Sequence, residues 1–475
     1  MSDQTKLPKS WKVVPLPSAA SINPPKRKIE ATESQLAHFV PMACVQEEFS
    51  GIDVSTTRPL REVLKGYTFF QEGDVLFAKI TPCMENGKLA VVPALEHRWG
   101  FGSTEFHVLR ATEIALPKWI AHFVSQASVR RDAKRSMTGS AGQLRVTALW
   151  LNEQELPIPP LAEQARIIAK IEELFSDLDA GVAALKRAKA NLKRYRAAVL
   201  KAAVEGKLTE EWQHDSFTNA NWVEIGTLLT SVEQGWSPKC ERAPSSSDDE
   251  WAVMKTSAVL PMQFLAHENK RLPIRLAPET QFEVKSGDLL ITRARPRNRA
   301  AVTCLVRSSR PRLIVCDKVY RIRCDNLKVM PAYLEVVLNS PPLLDELDEM
   351  KTGISDSGVN LTQQKFRRLK IPVPPLQSQR RIVDDVEDRL SVATVAESEI
   401  DNSLARSSRL RQSILKQAFE GKLVPQDPTD EPASVLLERL RASRSVHERN
   451  GKAATPARTR GRRAKPQLLE GRADQ

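Results

Sequence analysis

PIPPLAEQARIIAKIEELFSDLD, residues 157–179, and PVPPLQSQRRIVDDVEDRLSVAT, residues 372–394, are two versions of one pattern. The offset of 215 between them persists without a gap to LKAAVEGKL, ending at Leu208, and LKQAFEGKL, ending at Leu423. Of the 52 columns that start at Pro157, 19 are identical, among them Pro159/Pro374, Gln164/Gln379, Arg166/Arg381, Leu200/Leu415 and Gly206/Gly421. Ordinary residue usage gives chance agreement in roughly one column of fifteen to twenty, so the chain contains a duplication. Weaker echoes precede each block. Gly73-Asp74-Val75-Leu76 answers Gly287-Asp288-Leu289-Leu290, Leu116-Pro117 answers Met330-Pro331, and Arg145-Val146-Thr147 answers Asn360-Leu361-Thr362, while Trp11 is set against Trp222. Each half is thus a loosely matched module of roughly 150 residues followed by a well-matched block.

Within the blocks, apolar residues recur in alternating steps of three and four. The first copy has Ile168, Ile171, Phe175, Leu178, Val182, Leu185, Leu192 and Val199; the second has Val383, Val386, Leu390, Ala393, Ile400, Leu404 and Ile414. This is the seam of a coiled coil. Lys189 and Arg196 interrupt it, which predicts imperfect packing there or contact with another subunit. Pro157, Pro159 and Pro160 hold the approach extended, and Gly206 and Gly421 suit a left-handed residue just past a helix end. A helix from Leu161 to Val204 has 44 residues, so it is about 66 Å long, against about 34 Å for one turn of DNA. The reading is an α+β chain with a pseudo-twofold internal repeat, in which two mixed α/β domains are separated by two long antiparallel coiled-coil helices. The expected divisions are 1–156, 157–210, 211–371, 372–440 and a tail, 441–475.

The chain carries 71 Lys and Arg against 58 Asp and Glu, a net charge of +13. Over half of the excess sits in 441–475, a Gly/Ala/Pro/Arg-rich stretch that cannot bury a core and reads as disordered. A second basic stretch, Arg293 to Arg323, holds ten Lys and Arg against the single acid Asp317 within strand-like apolar surroundings. Arg293, Arg295, Arg297 and Arg299 alternate, which would put them on one face of an extended ribbon, and Pro296 makes that ribbon an edge or a loop. A guanidinium row suits phosphates and guanine edges; a merely solvated face is the plainer alternative. At the matching place in the first half, after Gly73-Asp74, stand Lys79 and Lys88. The six cysteines form no Cys-x-x-Cys pair, which argues against zinc and for reduced packing residues. No apolar run is long enough to span a membrane, and the N-terminus lacks a signal-peptide core.

With these residues in place, the chain resembles the specificity (S) subunit of type I restriction–modification systems. The resemblance rests on the doubled Pro-x-Pro-Pro-Leu helix starts, the doubled Glu-Gly-Lys-Leu ends and the two Gly-Asp-(Val/Leu)-Leu strand starts, and it runs over about residues 1–440. It implies two target recognition domains, and a DNA site of two short defined halves around a non-specific spacer. It implies assembly with two modification (methyltransferase) subunits to methylate adenine, and with restriction (R) subunits to make an ATP-dependent nuclease. S-adenosylmethionine, ATP and Mg would then belong to the partners, with no cofactor and no catalytic residue in this chain, in a bacterial or archaeal cytoplasm. The expected DNA-binding residues are Lys79, Lys88, Arg293, Arg295, Arg297 and Arg299. The expected helix–helix or subunit interface is Ile168, Ile171, Phe175, Leu178, Val182, Leu185, Val383, Val386, Leu390, Ile400 and Leu404.

Rival readings are weaker. Asn23-Pro24-Pro25-Lys26 approaches the Asn-Pro-Pro-aromatic motif of adenine methyltransferases, but Lys26 cannot stack on a flipped base, so it reads as a turn. Glu279 with Glu283-Val284-Lys285 is too sparse for a nuclease centre, and no phosphate-binding Gly-x-x-x-x-Gly-Lys-Ser/Thr loop exists. His38, His97 and His107 make no triad. A coiled-coil scaffold or adaptor without specific DNA recognition shares the helices but leaves the Arg293–Arg323 stretch unexplained.

Overall fold

Both duplicated blocks open α-helices of 44 residues, Leu161–Val204 and Leu376–Phe419. The computed structural model describes residues 7–26, 29, 31–140, 142–208, 221–294, 297–353 and 358–442; most of the basic tail therefore lies outside the described residues. The chain forms two compact units, Met1–Gly181 with Ala405–Gln475, and Val182–Leu404. Both divisions fall inside the long helices, so each unit holds one module and a part of each helix.

In the first unit, strands Ala20–Ile22, Phe106–Ala111, Val75–Ala78 and Leu89–Val91 form one sheet in that order. A second sheet orders Thr57–Pro59, Leu36–Val40, Trp99–Gly102 and Thr68–Gln71, with Leu36–Val40 and Trp99–Gly102 parallel. The helix Pro117–Ser125 packs on the first sheet, and its Trp119 and Ile120 are fully buried with Leu109 and Leu151. The same core takes in Ile167, Ile168 and Ile171 of one long helix and Ile414, Leu415 and Ala418 of the other. The start of one helix thus meets the end of the other, an antiparallel pairing. Past Gly421 the chain returns to this module. Ala433 N donates to Ser10 O at 3.0 Å, Arg166 pairs with Asp430 at 2.7 Å, and Leu436 enters the core.

In the second unit, the four-stranded sheet runs Leu229–Gln234, Val319–Cys324, Leu289–Thr292 and Thr303–Leu305. A three-stranded sheet sets Ala252–Met254 between Asn269–Arg271 and Leu313–Ile314. Pro331–Leu338 packs as Pro117–Ser125 does, and Val199, Leu200, Ala203 and Val204 share its core with Ile382, Val383 and Val386. Antiparallel pairing holds here too. Lys189 and Arg196, the two breaks in the seam, are filled by ion pairs. Lys189 meets Asp401 at 2.6 Å, and Arg196 meets Glu397 at 3.0 Å and Thr394 Oγ1 at 3.0 Å.

The repeat survives as hydrogen bonds where side chains have diverged. Gly73 and Gly287 take φ of +81° and +90°, a turn open to glycine, and the following Asp74 and Asp288 carboxylates accept from Gln71 N and Lys285 N at 2.7 and 2.8 Å. Thr147 and Thr362 cap short helices by accepting from Trp150 N and Lys365 N. Gly206 and Gly421 have φ of 70° and 69°, and the next residue closes each long helix back onto Ala202 O or Gln417 O. One echo is misaligned in the sequence. Strand Lys12–Pro15 pairs Val13 with Pro157, and Asn221–Glu224 pairs Trp222 with Pro372. Trp222 thus corresponds to exposed Val13, while Trp11 is buried and donates its indole N–H to Glu163 Oε1 at 3.0 Å.

Candidate nucleic-acid interface

The glutamine shared by both blocks locks each module to its helix. Gln164 is fully buried; its Oε1 accepts from Leu116 N at 2.9 Å, and its Nε2 donates to Ile114 O and Pro159 O at 2.9 and 3.0 Å. Gln379 repeats this with Met330 N at 2.8 Å, Lys328 O at 3.1 Å and Pro374 O at 2.8 Å. A second tie accompanies it. Trp119 Nε1 donates to Pro157 O, and Tyr333 OH to Pro372 O, each at 2.9 Å. One amide joins the proline turn, the long helix and the residue that begins the module's packing helix. The rims of the modules are therefore held relative to their helices by buried polar bonds.

At the end of the central strand, Lys79 and Arg293 occupy equivalent backbone sites. Lys79 N donates to Glu105 O and Lys79 O accepts from Val146 N; Arg293 N donates to Lys318 O and Arg293 O accepts from Leu361 N, all at 2.7–2.9 Å. Lys79 is half-buried, and no bond to its ammonium exists among the described residues. Arg293 is committed in part: Nε donates to Asp317 O at 2.8 Å, Nη1 to Asn360 Oδ1 at 3.1 Å, and its guanidinium lies 5.6 Å from the Tyr320 ring centre. Lys88 is turned inward. Its ammonium donates to Met42 O at 3.2 Å and Val45 O at 2.9 Å, so it ties two loops together and is not a free cation at the rim.

Among the described residues the arginine alternation does not continue as an extended ribbon. Arg297–Arg299 is a 3-10 turn, which ends the alternation; Arg297 pairs with Asp348 at 2.9 Å, while Arg299 is exposed. Arg295 lies outside the described residues. Beside Lys79 the structure sets a hairpin that the sequence reading passed over, Thr138–Ser140 with Gln143–Arg145, whose first strand is exposed. Arg145 grips Glu105 through Nε and Nη2 at 2.9 Å, which holds that carboxyl below its ordinary range. Its signal was present in the Arg145-Val146-Thr147 echo, which marked a repeat but not a rim. Asn23 spends its amide on Val108 N and the His107 ring, and Lys26 reaches Leu64 O, so both side chains are held by the module itself.

The seam residues divide by depth. Ile168, Ile171, Val383 and Val386 are buried, while Phe175, Leu178, Val182, Leu185, Leu390, Ile400 and Leu404 are half-buried. On the outer face of the second helix Val392 and Val395 are 70% and 66% exposed, apolar surface that this unit leaves uncovered. Among the described residues no cluster of His, Cys, Asp and Glu could hold a metal, and no helix is long and apolar enough to cross a membrane.

Two like modules, each clamped to its own stretch of paired long helix and bearing cations at the same strand end, define an internally duplicated nucleic-acid-binding protein. No family sequence model matches the chain. It is 30% identical to the type I restriction enzyme EcoEI specificity subunit of Escherichia coli over 87% of this chain and 83% of that one. It is 30% identical to the EcoKI specificity subunit of E. coli K12 over 71% and 74%. A chain from a solved structure on complex assembly and conformational transition of the type I R-M system superposes with a TM-score of 0.69 at 22% identity, over 88% of this chain and 99% of that one. The HsdS subunit from Thermoanaerobacter tengcongensis gives 0.50 at 21%, with the same coverage. The chain belongs to the family of type I restriction enzyme specificity subunits, the non-catalytic components that bind the DNA target site of a complex that methylates and cleaves DNA.

Proposed function

We propose that this chain reads a bipartite double-stranded DNA site, one half through residues 1–156 and the other through 211–371, with 157–210 and 372–440 as the spacer helices between them. The observation that carries this is the doubled glutamine clamp, because two heads fixed alike to paired helices suit one duplex with two unlike half-sites. Lys79, Arg293, Arg297 and Arg299, with Arg295, contact DNA; Arg297 gives up Asp348 when it does so. The outer helix face around Val392 and Val395 supports a partner surface, and we assign it to two modification subunits, with restriction subunits joining that assembly. S-adenosylmethionine, ATP and Mg belong to those partners. The setting is the cytoplasm of a bacterium or archaeon.

The test maps methylated adenines in a host genome with and without this chain. A bipartite motif that vanishes on deletion names both half-sites. An unchanged methylome, together with no salt-dependent retention on DNA, would point to a scaffold and overturn the proposal.

A further inference from the structure

A cleft of about 610 Å³ opens in the second unit beside the Arg293–Arg299 segment. Its walls carry Lys255, Lys270, Arg299 and Lys318, with Asp317 as the one acid. Lys270 stands on strand Asn269–Arg271, opposite Val253. Lys318 and Asp317 come just before Val319–Cys324, and Arg299 ends the 3-10 turn. Ser237, Thr256 and Ser257 add hydroxyls. Next to the lining residues Ser237 and Cys316 two backbones approach closely: a Cβ on Gly235 would fall 2.0 Å from Val315 O, and Trp236 N donates to that same carbonyl at 2.8 Å.

These cations are not used up by the fold. Lys255 lies 3.6 Å from Glu268, but among the described residues Lys270, Arg299 and Lys318 have no carboxylate within ion-pair distance. In the same unit Arg271, Arg307 and Arg321 each lie against at least one glutamate, at 3.2 Å or less. Gathering unpaired like charges around one concavity is unfavourable for the isolated chain, and a polyanion relieves it. Arg293 N donates to Lys318 O at 2.9 Å, so the cleft continues the rim assigned above to DNA.

We infer that this cleft seats the phosphodiester backbone of the second half-site, with Lys270, Lys318 and Arg299 as its phosphate contacts. It sets the register of the module without reading bases. The inference rests on the DNA-reading proposal, and the experiment separates the two. The chain with Lys270→Ala, Lys318→Ala and Arg299→Ala is assembled with its modification subunits. Binding to duplexes with and without the mapped motif is then measured against salt. The slope of log K on log salt should fall by about 2.7, so a fourfold rise in salt costs the unsubstituted complex roughly forty-fold more than the variant. Target and non-target duplexes should weaken by the same factor. The single Lys318→Ala variant, at an exposed position, should lower the slope by about 0.9. An unchanged slope, or a selective loss on the target duplex alone, overturns the phosphate assignment while leaving DNA reading in place. Failure of the unsubstituted complex to prefer the motif overturns DNA reading itself.

Discussion

Replacing Gln379 with leucine keeps the volume of a fully buried side chain but removes three hydrogen bonds at once. Met330 N–H and the carbonyls of Lys328 and Pro374 are left facing an apolar group, at a half-buried, an exposed and a buried residue respectively. An orphaned buried group costs about 1–3 kcal/mol, so losing the three bonds, with water free to reach the Lys328 carbonyl, costs about 3–6 kcal/mol. Leucine returns about 1–2 kcal/mol through its more favourable burial. The net loss is about 2–4 kcal/mol, a large share of a typical stability of about 5–15 kcal/mol. For a unit of this size each kcal/mol moves the midpoint by about 2–4 °C, so thermal unfolding should come roughly 5–15 °C earlier. Hydrogen exchange supplies a local check, since the Met330 amide loses its acceptor and should exchange faster while amides of Leu229–Gln234 keep their protection. Gln164→Leu should act alike at Leu116 N in the first unit. A midpoint shift below about 2 °C for both substitutions, with the Met330 amide still protected, would refute the clamp as the fixed joint between module and helix.

His122 is buried between Phe49 and Phe175 with no partner for either ring nitrogen among the described residues, and burial, aided by Lys118 and Arg411, pushes its pKa from 6.5 down to about 3. Its folded pKa lies below its unfolded one, so stability is full above about pH 6.5 and drains as pH falls toward 3, by about 2 kcal/mol at pH 5; urea titrations should show this slope and His122→Phe should flatten it. Tyr333→Phe orphans the buried Pro372 carbonyl and should cost about 1–2 kcal/mol in the same assay. Removing one heptad from each long helix shortens the pair by about 10 Å, near three base pairs. The methylated motif should lose about that much spacer or disappear, and an unchanged motif would end the ruler role.

The helices were legible because their information is local and doubled. A three-and-four apolar step, flanking prolines and a terminal glycine each act over a few residues, and agreement between copies removed doubt about register. The strand ends at Lys79 and Arg293 were legible for the same reason, since Gly-Asp turns fix where each strand begins. What was hidden depends on partners distant in sequence. Nothing near Lys88 announces the carbonyls of Met42 and Val45, so an inward lysine looked like a rim lysine. Alternating arginines suggested a ribbon, but one turn at Arg297–Arg299 breaks a pattern that only an extended backbone preserves. Lys255 and Lys270 belong to the cleft through strand pairing, which spacing along the chain does not encode.

The two modules preserve different things to different degrees, and the difference has a physical cause. The glutamine clamp, the threonine caps and the Gly-Asp turns are buried or serve backbone groups, so a change there leaves polar atoms unpaired and is costly. Surface charges carry no such penalty, and they have drifted apart. Helix Ala127–Arg135 bears Arg130, Arg131, Lys134 and Arg135, with Arg130 paired to Glu48 and Lys134 to Glu85, whereas Pro341–Met350, the helix that follows the clamped one in the second unit, bears Asp345, Glu346, Asp348 and Glu349. Cations in the second module gather also around the cleft. Both modules keep a cation at the equivalent strand end, Lys79 and Arg293, but the charge around it differs, so the two surfaces are not interchangeable. A chain made by doubling one unit can therefore serve two unlike half-sites while keeping a single way of joining head to helix.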